Sequence, residues 1–196
     1  MLDDVTAIVL AGGRSSRFGS DKLAFEIDGR TMLERAVAAV TAVTSRVVLV
    51  LAPGVEMPAT LDATNVTVVH DPTAFEGPLA GLAAALASID TPVALVVAGD
   101  MPRMVPAVLQ RLASTVETER PAVNLEVPRR MQPLPMAISV EAVRPVAAAL
   151  LERGERSLRA LLTELGAASI PAPVWLSLDP AGATIQDVNR PGDLRV

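Results

Sequence analysis

Residues 5–22 read VTAIVLAGGRSSRFGSDK. The run Val5 to Ala11 is apolar without alternation and breaks into two glycines, as a strand buried on both faces does on reaching a loop. Gly12 and Gly13 carry no Cβ, so backbone N–H groups there can approach an anion closely. Arg14, Arg17 and Lys22 place three cations within nine residues of a chain whose net charge is −5. Amides that seat oxygens, and cations that offset charge building on them, are what a triphosphate requires. A solvated loop between strand and helix is the plain alternative. The spacing fits neither of two familiar phosphate loops: Lys22 follows Asp21 instead of a glycine, and Gly12 and Gly13 are adjacent with the next glycine at 19. Neither GxxxxGK[ST] nor GxGxxG is present in the loop, which disfavours a P-loop ATPase and a dinucleotide-binding dehydrogenase.

Outward from this stretch, strand and helix signals alternate. Thr31 and Glu34 form a capping box ahead of Val37 and Val40, so a helix starts there. RVVLVL at 46–51 is a second buried strand, Asn65 to His70 a third, and VALVVAG, ending at Asp100, a fourth. Helices are expected over Leu79 to Ser88, Val105 to Glu117, Glu141 to Glu152 and Ser157 to Leu165. Met136 to Val140 is a candidate strand, and Ala183 to Val188 is expected to be a short closing strand. This rhythm predicts an α/β fold with a mostly parallel central sheet flanked by helices. At 196 residues, 51% hydrophobic and only 2% aromatic, the chain is expected to form a single domain over 1–196 with an aliphatic core. The acidic balance disfavours nucleic acid and anionic lipid as partners. Without cysteine there is no disulfide, thiolate metal site or thiol nucleophile. Two acids precede the first apolar run, and no run is long enough to span a bilayer, so a cytoplasmic location is expected.

In an open α/β sheet, ligands bind beyond the carboxyl ends of the strands. Four polar clusters follow apolar runs: Gly12 to Lys22, His70-Asp71, Asp100, and Asp187 to Asn189. Asp100 is either a Mg²⁺ ligand, an oxygen donor suited to that hard cation, or the N-cap of the next helix. Asp187 and Asn189, two apart, would share one face of a strand and complete a Mg²⁺ shell, or else they serve a turn. Asp71 is a candidate contact for ribose or substrate and also an ordinary turn opener. His70, the single histidine, is read as structural, because a phosphate nucleophile is already ionised near neutral pH. Gly77 and Gly81 either expose helix N–H groups to a ligand or permit close packing. Arg129, Arg130, Arg153, Glu155 and Arg156 are candidate contacts for a phosphorylated acceptor, with solvated surface charge the plainer reading.

With these residues in view, the chain resembles the molybdenum cofactor guanylyltransferases within the larger family of sugar-nucleotide-like nucleotidyltransferases. The resemblance is carried by LAGGRSSRFGSDK at 10–22, the Gly29 turn, HDPTAFEGPLAGL at 70–82, GDMP at 99–102, QPLPMAI at 132–138, GERSLRALL at 154–162 and DVNRPGDL at 187–194. The resemblance implies a Rossmann-like domain of the nucleotide-diphospho-sugar transferase type. It further implies that the domain binds GTP and Mg²⁺ and joins GMP to the terminal phosphate of molybdenum-carrying molybdopterin, releasing pyrophosphate. Leu10, Ala11 and Gly12, with Gly13 beside them, would line the nucleotide site; Lys22 would contact phosphates and Asp71 GTP. Asp100 would hold Mg²⁺, with Asn189 as the later polar ligand, and Arg17 would fill the loop's basic position. The catalytic set is Arg17, Lys22 and Asp100. Handing over the product implies a molybdoenzyme or chaperone as a protein partner. The chain departs from the family where Ala52 follows the second strand in place of a frequent asparagine, and at Asp187, where asparagine can stand. The rival functions are a molybdopterin cytidylyltransferase or other small-molecule nucleotidyltransferase of the same fold, and a noncatalytic nucleotide-binding regulatory domain.

Overall fold

The computed structural model describes residues 1–12, 22–72, 77–128 and 131–188. In its first half the elements are β1 (Val5–Leu10), the short strands β2 (Glu26–Ile27) and β3 (Arg30–Thr31), α1 (Met32–Thr41), β4 (Arg46–Leu51), β5 (Val66–His70), α2 (Pro78–Ala87) and β6 (Val93–Ala98). There follow α3 (Pro106–Ala113), β7 (Ala122–Leu125), β8 (Met136–Ser139), α4 (Val140–Glu152), α5 (Leu158–Glu164), β9 (Ala168–Ile170) and α6 (Ala172–Leu176). Seven strands form one sheet in the order β5-β4-β1-β6-β8-β7-β9. β4 and β6 flank β1, and β5 flanks β4, all in parallel register. β8 runs antiparallel to both its neighbours, while β9 is parallel to β7. The expected α/β architecture is therefore present, with a single reversed strand.

β1 has no alternation because both of its faces are covered. Ala7 and Val9 join the core under α1, α3 and α6, with Val37, Leu109 and Trp175, whereas Ile8 joins the opposite core, with Leu82, Val143 and Leu161. Parallel strands covered by helices on both sides must be apolar at every position. The layer under α2 and α4 is also fastened by Arg144, whose Nε and Nη2 donate to the Leu86 carbonyl at 3.0 and 2.7 Å and so satisfy the C-terminal end of α2.

The capping box read from the sequence starts α1. Thr31 Oγ1 accepts the Glu34 N–H at 3.1 Å, and Glu34 Oε2 accepts the Thr31 N–H at 2.6 Å. Ahead of it stands a two-stranded hairpin that the periodicity did not predict, since each strand is two residues long. Its turn is Asp28-Gly29, with φ of 49° and 75°, the left-handed pair that a two-residue hairpin demands. Arg35 reaches back from α1 to donate to the Ile27 carbonyl at 2.9 Å.

The closing strand expected over Ala183 to Val188 does not form. Ala183–Ile185 is a single 3-10 turn, and residues 186–188 run on without a ladder partner. Gly182 (φ 61°) turns the chain, and the buried Asp179 carboxylate takes the Thr184 N–H at 2.7 Å, a donor that a strand would have offered to a neighbour. Among the described residues no helix is long and apolar enough to cross a membrane.

The Thr60 hydroxyl and the Thr31 N–H hold the Glu34 carboxyl below its ordinary pKa. A depressed folded-state pKa contributes stability that is present above the unfolded value and is lost as pH falls through the folded one. Glu34→Gln is therefore expected to lower the urea midpoint at pH 7, and the gap from wild type should narrow steadily as the measurement is moved below pH 4.5.

Candidate active site

The chain builds outward from β1 to β4 and β5, then returns across β1 to β6. The carboxyl ends of β1 and β6 thus form the switch point, where an α/β sheet opens a crevice. Three bonds continue the ladder past the strand ends and align the loops that follow: Ala11 N–H to the Val50 carbonyl (2.8 Å), Asp71 N–H to Leu51 (2.8 Å) and Gly99 N–H to Leu10 (2.9 Å). Leu10, Ala11 and Gly12 are half-buried along this edge. A Cβ at Gly12 would lie 3.5 Å from Ala52 N and 3.8 Å from Asp71 Oδ2. Asp71 is buried, and its carboxylate sits against α2 as well, since a Cβ at Gly81 would stand 3.6 Å from Oδ2 and 3.0 Å from Val50 Cγ1. Gly12, Ala52, Asp71 and Gly81, scattered along the sequence, are neighbours here.

Asp100 lies in the turn directly after β6, where Met101 N–H bonds the Ala98 carbonyl at 3.3 Å. It is not the N-cap of the next helix. α3 starts at Pro106, and its capping position is Val105, which offers no side-chain bond. The segment carrying Asp187 docks onto Asp100: Val188 N–H donates to the Asp100 carbonyl at 3.0 Å, and the Val188 side chain is buried. Asp187 beside it is exposed. Leu23 covers Gly99, where a Cβ would stand 3.4 Å from Leu23 Cδ2, so the backbone of the 3-10 turn Lys22–Ala24 reaches the same edge. The Lys22 side chain and all of Gly13, Arg14, Arg17 and Asn189 lie outside the described residues, as do Arg129 and Arg130.

Asp100 and Asp187 offer only carboxylate oxygens, and among the described residues no three His, Cys, Asp or Glu side chains are grouped to hold a metal. A site with one or two carboxylates fits a hard divalent cation that takes its remaining oxygens from water and phosphate. It does not fit a cation that needs a full protein cage.

Other candidates have structural work. His70 Nε2 lies 3.0 Å from the Val55 carbonyl in the loop that follows β4. The start of α2 is packed, not open: Leu79 N–H donates to the Arg156 carbonyl at 3.3 Å. Arg156 Nη1 donates to the Leu151 carbonyl at 3.1 Å, and the Glu155 carboxylate accepts the Arg156 and Ser157 N–H groups at 2.7 and 2.9 Å. Those backbone donors hold the Glu155 carboxyl below its usual range. Arg153 pairs with Glu164 at 3.3 Å on the surface. The sequence reading gave no site role to Leu23, which looks like an ordinary apolar residue, or to Thr184, which it placed in the expected closing strand. It also assigned no role to Gln132, whose Nε2 donates to the Ile185 carbonyl at 3.3 Å.

These groups lie at the switch point of an α/β sheet, the place where such folds bind their ligands, and the class of protein is a nucleotidyltransferase. The MobA-like NTP transferase domain matches residues 7–168, and the chain belongs to that family. It is 32% identical to a probable molybdenum cofactor guanylyltransferase of Chloroflexus aggregans, over 98% of this chain and 92% of the relative. The molybdenum cofactor guanylyltransferase of Desulfosudis oleivorans is 29% identical over 98% of this chain and 94% of its own. Among solved structures, molybdopterin-guanine dinucleotide biosynthesis protein A of Archaeoglobus fulgidus superposes with a TM-score of 0.78 at 21% identity, covering 97% of this chain and 95% of that one. The 2-C-methyl-D-erythritol 4-phosphate cytidylyltransferase of Thermus thermophilus shares the fold with a TM-score of 0.70 at 19% identity, over 95% and 94% of the two chains.

Gly77 has φ of 97°, and a Cβ there would stand 2.8 Å from the Arg156 carbonyl oxygen. Gly77→Ala is expected to destabilise the fold by about 2 kcal/mol or more, read from chemical denaturation, because strain and a backbone clash add.

Proposed function

We propose that this chain transfers GMP from GTP to the terminal phosphate of molybdopterin carrying molybdenum, giving the guanine dinucleotide cofactor and pyrophosphate. The observation that carries this is the 32% identity, over 98% of the chain, to a relative named a probable molybdenum cofactor guanylyltransferase. Residues 1–196 act as a single nucleotidyltransferase domain in this proposal. A bare regulatory domain is disfavoured, since binding alone does not require Arg17, Lys22 and Asp100 together.

Leu10, Ala11, Gly12 and Gly13 line the nucleotide through backbone groups, and Asp71 contacts it from behind Gly12. Asp100 and Asp187, with Asn189, would hold Mg²⁺, which when bound offsets negative charge on the phosphates. An ionised oxygen of the acceptor phosphate attacks the α-phosphorus of GTP. The bond from that phosphorus to the bridging oxygen breaks, and pyrophosphate leaves with the electron pair. No proton need be removed from the nucleophile, which agrees with His70 being tied to a loop carbonyl. Lys22 and Arg17 stabilise the transferring and leaving phosphates by alignment and charge. Ala52, next to Gly12, has no side-chain hydrogen bond to give, so guanine is selected through backbone groups or other residues.

Turnover with purified molybdenum-bearing molybdopterin is expected to release pyrophosphate at least about tenfold more efficiently with GTP than with CTP or ATP, by kcat/KM. Equal or faster release with CTP makes the chain a cytidylyltransferase, and none with any nucleotide favours a binding module.

Asp100→Ala should keep the wild-type circular dichroism spectrum and lose about 100-fold or more in kcat. Near-normal turnover in that folded variant rejects the metal role.

A further inference from the structure

The two segments that bear the candidate metal carboxylates, Asp100 and Asp187, are far apart in sequence. Two neutral hydrogen bonds join them. At one end Val188 N–H donates to the Asp100 carbonyl at 3.0 Å. At the other, Val105 N–H, in the loop running from Asp100 to α3, donates to Thr184 Oγ1 at 3.0 Å. Residues 100–105 and 184–188 thus make a closed ring with one rung at each end. Thr184 is fully buried and is itself fixed, its N–H given to Asp179 Oδ2 at 2.7 Å, while Gly182 N–H bonds the Asp179 carbonyl at 2.9 Å. Gln132 Nε2 adds a weaker tie at the Ile185 carbonyl, 3.3 Å. The Thr184 rung is the side-chain tie between the Asp187 segment and the loop that leads from Asp100 to α3.

We propose that Thr184 is a positioning residue: clamped by Asp179, it sets the spacing of the Asp187 segment from the Asp100 loop and thereby the site's affinity for a divalent cation. This rests on the metal role given above to Asp100 and Asp187. A threonine that only stabilised a buried turn would alter stability and leave cation affinity unchanged.

The test measures Mn²⁺ affinity of the full chain by water proton relaxation, with GTP present and no acceptor, so that no turnover is involved. Thr184→Val keeps the shape and removes the hydroxyl; it should weaken Mn²⁺ binding about tenfold, as loss of a ligand-orienting group does. Thr184→Ser, which restores the hydroxyl, should lie within about twofold of wild type. Val143→Ala, a buried change in the opposite layer, serves as a control for lost stability and should leave Mn²⁺ affinity unchanged. A Thr184→Val constant equal to wild type overturns the inference, as does an equal loss in Val143→Ala. Asp100→Asn separates the two failures. If it weakens Mn²⁺ binding while Thr184→Val does not, only the role of Thr184 falls, whereas if neither has an effect the metal assignment falls with it. Should Thr184→Val not fold, Gln132→Leu cuts the other tie to the same segment and is expected to weaken Mn²⁺ binding in the same direction; wild-type affinity in that variant rejects the clamp.

Discussion

Everything in this molecule is organised by the parallel pairing of β1 with β4 on one side and β6 on the other. Parallel ladders require crossover helices, and those helices cover both faces, so the central strands are apolar throughout. Polar chemistry is thereby driven to the strand ends. Leu10, Leu51 and Ala98 finish their strands at nearly one level, and the backbone bonds just beyond them align Ala11, Asp71 and Gly99. The same pairing that buries the core therefore builds a single polar edge.

That edge is assembled from two kinds of support. On one side glycines let the backbone close in: Gly12 and Gly81 leave room for the Asp71 carboxylate between β1 and α2, and Gly99 accepts Leu23. On the other side, hydrogen bonds replace apolar packing, because the 183–188 segment has no sheet to join. Asp179, Thr184 and Gln132 supply that lattice, and Val188 plugs the segment into the core next to Asp100.

The overall charge of −5 and the basic stretch Arg14 to Lys22 fit one scheme. An acidic balance gives no general attraction for polyanions, so in the proposed reaction a small anionic substrate would be held where cations and amides are concentrated. The transfer itself asks little of acid–base groups, since both nucleophile and leaving group are phosphates. Alignment and charge carry it, and the residues assigned to the reaction are cations, amides and oxygen donors accordingly.

The sequence by itself determined the buried strands, the α1 capping box and the loop that excludes the P-loop and dinucleotide spacings. These are legible because periodicity, capping and glycine placement act between residues close along the chain. Asp28-Gly29 was a legible hairpin signal too, masked by strands too short to show alternation. The neighbourhood of Gly12, Ala52, Asp71 and Gly81, and the docking of Val188 on Asp100, were decided only by tertiary structure. So was the choice at Ala183 to Val188, where Thr, Ile and Val favour a strand but the buried Asp179 carboxylate took the Thr184 N–H and made a turn. Local propensity is a preference of about 1 kcal/mol, and a buried acceptor that would otherwise lack a donor outweighs it.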